Sequence, residues 1–200
     1  MKYYIYISRA KVDMLYTQLP PEFLKGISAE VTVNVGVLSG TFKGNPTGND
    51  VSLPQRLHAV SQYINKHEDT GTVTSPGKYI SGTTFFKYGI VSEYAADIVF
   101  FGGIVNGKTI ALIGSSTSVI GAAERADANH SLNYYILEFL KSAIETEEDK
   151  SEQSDVFSRA VWAGLKALPP ITHNLEFVAK VLYKEKDLIV GTPIYVAMLD

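Results

Sequence analysis

The chain has 200 residues, 46% hydrophobic and 20% charged, with 21 acidic against 18 basic side chains and a net charge of −3. A chain this long buries roughly 70% of its unfolded surface, and having no cysteine excludes disulfide scaffolds, thiolate metal sites and cysteine nucleophiles. The acidic balance, with a pI near 5.8, argues against general binding to nucleic acid or anionic membranes.

No apolar run approaches the ~18 residues that a membrane span needs. The opening MKYYIYIS reads as a strand rather than a secretory leader. The expectation is one soluble, cytoplasmic globular domain over residues 1–200.

Tyr3, Ile5 and Ile7 alternate with Tyr4, Tyr6 and Ser8, which predicts a strand packed on both faces. Residues 9–18 space Val12, Leu15 and Tyr16 helically before Pro20-Pro21 ends the run. In residues 30–38 (EVTVNVGVL), Val31, Val33, Val35 and Val37 alternate with small or polar residues, which predicts a strand. Residues 39–50 have loop composition.

Ser52 with Gln55 forms a capping-box pattern that opens a helix striped by Leu53, Leu57, Val60 and Ile64, with His58 off the stripe. Residues 71–91 read as extended segments broken at Pro76-Gly77 and Gly82.

Two runs, Ile98–Phe101 and Thr109–Ile113, are apolar on both faces and flank Asn106-Gly107. Both turn residues tolerate positive φ, so the pattern predicts a hairpin in the centre of a sheet. Leu132, Tyr135, Ile136, Phe139, Leu140, Ala143 and Ile144 follow helical spacing, and the acidic residues 145–155 read as a linker. A second helix is expected over Val156–Leu168, carrying Phe157, Val161 and Leu165 with Trp162 beside them. A third is expected after Thr172, striped by Leu175, Val178, Ala179 and Leu182. Leu188–Leu199 reads as a strand interrupted by a bulge or turn at Gly191-Thr192-Pro193. The fold class is α+β. It is expected to have a mostly antiparallel sheet around the central hairpin (about 97–114), helices on one face, and a C-terminal strand returning to the sheet.

The leading candidate site is the loop closed by Gly121. Gly114, Ser115, Ser116, Thr117 and Ser118 offer four hydroxyls and backbone N–H groups, the chemistry of a phosphate or carboxylate cradle. The plain alternative is a tight turn, because the loop lacks P-loop spacing, GxGxxG and a GxSxG elbow. Arg125 has the fork that pairs an anion bidentately, though a surface ion pair explains it equally. His130 is the histidine closest to the loop in sequence, and a surface position at a helix start is its plain reading. Phe86 and Tyr88 would line a ligand, or simply fill the core. His58, His67, His130 and His173 lack ligand spacing, so no metal is expected, and no cofactor. No catalytic residue is legible.

Tyr3–Tyr16 (YYIYIS..KVDMLY), Pro76–Gly89 (PGKYISGTTFFKYG), Val99–Gly121 (VFFGG…ALIGSSTSVIG) and Gly191–Leu199 (GTPIYVAML) together resemble an uncharacterised bacterial protein family. The resemblance runs nearly end to end. It implies one architecture and an intracellular setting, associates the chain with regulatory or defence operons, and supplies no catalytic residue. Where such proteins carry a histidine in a GSxxHxxG loop, this chain has Ser118, which weighs against catalysis there.

The expected function is therefore a non-enzymatic sensing module for a small anionic or nucleotide-like ligand. The alternatives are a protein-interaction subunit, homo-oligomeric or with an operon partner, and then a small serine-dependent hydrolase or transferase. Twelve tyrosines motivate the interaction reading.

Overall fold

The computed structural model describes residues 2–34, 51–91, 98–121 and 156–199. Two compact units emerge: Arg9–Glu68, and Met1–Ser8 with Asp69–Asp200. The expected helix over 132–144 and the acidic stretch at 145–155 lie outside the described residues.

The first unit is helical: α1 (Arg9–Tyr16), α2 (Pro21–Asn34) and α3 (Leu53–His67). The capping pattern forms as expected, with Gln55 Oε1 accepting from the Ser52 N–H at 2.9 Å and from its hydroxyl at 2.8 Å. Leu57, Val60 and Ile64 are buried together with Ala59, whereas His58 is exposed. Arg56 pairs with Asp13 at 2.9 Å. The Phe23 ring stands edge-on to Tyr63 and His67, at 5.0 and 5.4 Å between centroids. The strand expected from Glu30 does not form where the structure describes it, because α2 continues through Asn34. A helix opened by Pro21 with Glu22 in its first turn propagates cooperatively, and a short valine alternation is weak against that.

The second unit is a barrel. Its strands are β1 (Tyr3–Ile7), β2 (Thr70–Gly71), β3 (Tyr79–Ile90), β4 (Ile98–Val105), β5 (Lys108–Ser115), β6 (His173–Glu185) and β7 (Leu188–Met198). Antiparallel pairs β3–β4, β4–β5, β7–β6 and β6–β3, with β5 and β7 parallel, close a five-stranded ring. The sheet is thus mixed and curled on itself. β1 pairs antiparallel with β7 over Tyr195–Met198, beyond the stretch of β7 that β5 occupies.

Residues from six strands fill the interior. They include Tyr6, Ile80, Phe86, Val99, Phe101, Leu112, Phe177 and Val196. The opposite faces of β4, β5 and β7 pack under a helix, α4 (Val156–Ala167), where Ile98, Phe100, Ala111, Ile113 and Val190 meet Ala160, Val161 and Leu165. The hairpin is therefore buried on both faces, as its sequence predicts. A β-carbon on Gly102 would lie 2.7 Å from Leu165 Cδ2, so α4 seats closely on β4 only because that position is glycine.

The turn residues Asn106 and Gly107 have φ of 50° and 78°. Gly107→Ala is expected to destabilise by about 1–2 kcal/mol, the cost of a left-handed backbone for an L residue. Urea denaturation checks it.

The third expected helix is in fact β6. Leu175, Phe177 and Ala179 enter the interior cluster at period two, and the strand bonds to β3 and β7 along most of its length. The same residues also fit a helical stripe, so pairing with two distant strands decided the outcome. Gly82 does not break β3 either, because its neighbours stay paired to β6. The irregularity expected near Pro193 is present as a register shift opposite Val178/Ala179, in a β7 that otherwise runs unbroken.

Candidate functional site

β5 delivers Ser115 to one end of the barrel, where Ser116–Ser118 form a single 3₁₀ turn. Ser115 Oγ lies 2.8 Å from Thr117 Oγ1 and also accepts from the Thr117 N–H at 3.4 Å. The Val119 N–H donates to the Ser116 carbonyl at 3.1 Å, and the Ile120 N–H to the Ile5 carbonyl at 3.0 Å. A bridge between Tyr6 and Val119 fixes the turn to β1. Ser116 is buried, and Gly121 ends the loop at φ 85°. The N–H groups of Thr117, Val119 and Ile120 and the hydroxyls of Ser115 and Thr117 are thus engaged within the fold, and the Ser118 hydroxyl joins them through Tyr6.

Below the loop, the Tyr6 phenol is buried and hydrogen-bonds the Ser118 and Ser8 side chains and the Ser115 backbone. Burial pushes its pKa up, and those bonds pull only partly in the other direction. Gly114 leaves room for the ring: a β-carbon there would lie 2.7 Å from Tyr6 Cζ.

The Tyr6 ring meets Phe101 edge-on at 5.7 Å, Phe101 stacks on Tyr88 at 5.6 Å, and Tyr88 contacts His173 at 5.1 Å. A chain of four rings therefore connects the loop to partly exposed Tyr88 and His173. Phe86 is fully buried against Phe177 and serves the core. Arg125 and His130 lie outside the described residues. His173, which the sequence gave no reason to single out, is the histidine that the structure places beside Tyr88. Assigning residues after Thr172 to a helix concealed it, since only the strand register sets it opposite Phe86.

A second polar cluster lies where β1, β6 and β7 meet. The Lys2 ammonium and the Tyr195 hydroxyl both donate to Glu176 Oε1, and the Tyr4 ring stands edge-on to Tyr195 at 5.6 Å. Burial raises the Glu176 carboxyl, but the bonds from Lys2 and Tyr195 and the lysine charge outweigh it, so the net shift is downward. Burial and then Glu176 push the Tyr195 phenol strongly up. A depressed carboxyl contributes stability above its unfolded pKa, about 4.3, and loses it as pH falls through the folded value. Glu176→Gln is therefore expected to flatten the loss of thermal stability below about pH 4.5. Melting curves from pH 7 to 3 read this directly. Equal acid sensitivity in both proteins would mean that the Lys2–Glu176–Tyr195 cluster does not carry the acid response.

In the helical unit, burial pushes the Lys11 ammonium down to about 7. Among the described residues, no group of three or more His, Asp or Glu is placed to hold a metal ion. Nor is any described helix long and apolar enough to cross a membrane.

Fold and site together define an α+β protein built on a closed five-stranded barrel with a helix seated on its outer wall. The chain belongs to a family of unknown function, DUF7019, which matches residues 2–200. No curated protein matches it. The family resemblance drawn from the sequence is thereby shown, and the family brings no established activity.

Proposed function

We propose that the protein is a non-catalytic recognition module whose barrel unit engages a protein partner. One observation carries this reading. Phe85 and Ile104 stand 64% and 59% exposed on β3 and β4, and β3, β4 and β5 contain two lysines and no carboxylate. Exposed apolar groups on a wall with few charges are the usual composition of an interface core. Small Greek-key barrels of the oligonucleotide-binding type use the face of their second and third strands for ligands. Here those strands are β4 and β5, and α4 lies on that face. The analogy therefore does not extend to nucleic acid, which agrees with the acidic balance of the chain. A cytoplasmic setting, within a bacterial regulatory or defence system, is part of the same proposal.

A second reading keeps the small anionic ligand at Gly114–Ser118, with Tyr88 and the later Arg125 and His130. It is supported by four hydroxyls gathered in one ordered turn, and it requires the Ser115–Thr117 bond to open.

Native mass spectrometry of the protein purified from its own host separates the two readings. A stoichiometric protein partner or defined oligomer is the result expected from the first. A retained small molecule on an otherwise lone chain would replace it with the second. A bare monomer at micromolar concentration would count against both.

A further inference from the structure

Five strands close the ring, and β1 is not among them. The β3–β4, β4–β5, β5–β7, β7–β6 and β6–β3 ladders achieve closure without it. β1 is five residues long and pairs with β7 from Tyr3 opposite Met198 to Ile7 opposite Tyr195. That ladder is itself broken by a register shift between Tyr4 and Tyr6. Along the other edge of β1, the described residues supply the Tyr6–Val119 bridge and the bond from the Ile120 N–H to the Ile5 carbonyl. Its outer end is open to solvent, with Tyr3 67% exposed.

β1 is held down chiefly at its two ends. At the start, the Lys2 ammonium bonds Glu176 on β6 and lies 5.7 Å from the centre of the Tyr195 ring, against which Tyr4 stands edge-on. At the end, Ile5 and Tyr6 are buried in the interior, and the Ser8 N–H donates to the Ile194 carbonyl at 2.9 Å. The Gly114–Gly121 loop depends on β1 in turn. Tyr6 bonds the Ser118 side chain and the Ser115 backbone, and the Ile5 carbonyl holds Ile120.

Short segments with few ladder partners open at a lower free energy than the whole domain. Lifting β1 breaks no ladder of the ring, yet it removes these anchors of the loop. It also exposes Ile5 and Tyr6 to water, so the lifted form is a minor state.

We infer that β1 is a strap that lifts from the closed ring as one piece and releases the Gly114–Gly121 loop with it. In the lifted form the Ser118 hydroxyl, the Ser115 backbone and the space vacated by Tyr6 beside Phe101 and Gly114 become available. β1 is thus a self-blocking contact on the candidate loop. The strap behaves the same way whether the protein engages a partner or a small anion.

The test is hydrogen–deuterium exchange of the full chain under native conditions. The Ser8 and Ile120 amides report on opposite edges of β1, through Ile194 and Ile5. Corrected for intrinsic rates, they are expected to exchange at one common rate, roughly tenfold or more faster than the amides of the β4–β5 ladder. A second measurement uses Tyr4→Cys/Ala197→Cys, two positions directly opposed in the β1–β7 ladder of a chain with no other thiol. Oxidation tethers the strap and should slow both amides to the rate of the β4–β5 ladder. Reduction should restore the difference.

Ser8 and Ile120 amides as slow as the β4–β5 ladder in the parent chain would overturn the inference, because β1 would then open only with the whole unit. Unequal rates at Ser8 and Ile120 would also overturn it, since the two edges would fray separately. So would an Ile120 amide that stays fast after oxidation, because the loop would then open beneath a tethered strap.

Discussion

Replacing Phe101 with alanine is expected to lower the stability of the barrel unit by about 3–5 kcal/mol, the range for emptying a large buried aromatic site. Phe101 lies on β4 facing the interior, 1% exposed, between the edge of Tyr6 and the stacked ring of Tyr88. Neither neighbour can collapse into the vacancy freely. The Tyr6 hydroxyl is bonded to Ser118 and Ser8, and Tyr88 is held in the ladder opposite Phe101 itself. A drop in melting temperature on the order of 10 °C follows for a domain of this size. Phe85→Ala is the control, because an exposed ring of the same type should cost no more than about 0.5 kcal/mol. Equal losses in the two variants would mean that the inward and outward faces of β3 and β4 have been assigned wrongly.

The second large effect is expected at Gly114. A β-carbon added there would lie 2.7 Å from Tyr6 Cζ and 2.9 Å from Cε2, which no rotamer change of a packed ring relieves cheaply. Gly114→Ala should cost about 1–3 kcal/mol by overpacking. Its specific signature is a double-mutant cycle. Tyr6→Ala is destabilising by itself, since it removes a buried ring and three hydrogen bonds. In that background, however, Gly114→Ala should cost almost nothing, because the obstructing atoms are gone. Residues in direct contact show this non-additivity, and distant ones do not. Additive losses would place the strain somewhere other than between these two residues. The same pair bears on the candidate loop, because Tyr6 is what ties Ser118 and the Ser115 backbone to β1.

The candidate site was legible in part. A small polar loop leaving a buried strand was apparent from Gly114–Ser118. That its hydroxyls would be spent on one another and on Tyr6 was not, because Tyr6 lies far away in sequence. Tyr88, a candidate for lining a ligand, is joined to the loop through Phe101 and Tyr6. Phe86, two residues away on the same face of β3, is fully buried in the core. Both positions face inward, and what separates them is depth in the barrel. His173 had no sequence signal at all.

By itself the sequence determined those elements whose causes are local. Asn106-Gly107 accepts the positive φ of the hairpin turn, so β4 and β5 follow from their own apolar runs. Gln55 reaches back to Ser52, so α3 begins where its cap stands. Val161 and Leu165 recur at helical spacing, so α4 forms. The tertiary structure decided what depends on distant partners. Residues 173–185 satisfy a helical stripe and a strand alternation equally, and the choice fell to the ladders that β3 and β7 offered. Closure of the sheet and the seating of α4 against Gly102 belong to the same class. Each is set by which backbone groups find partners across the fold, and no short window of side chains encodes that.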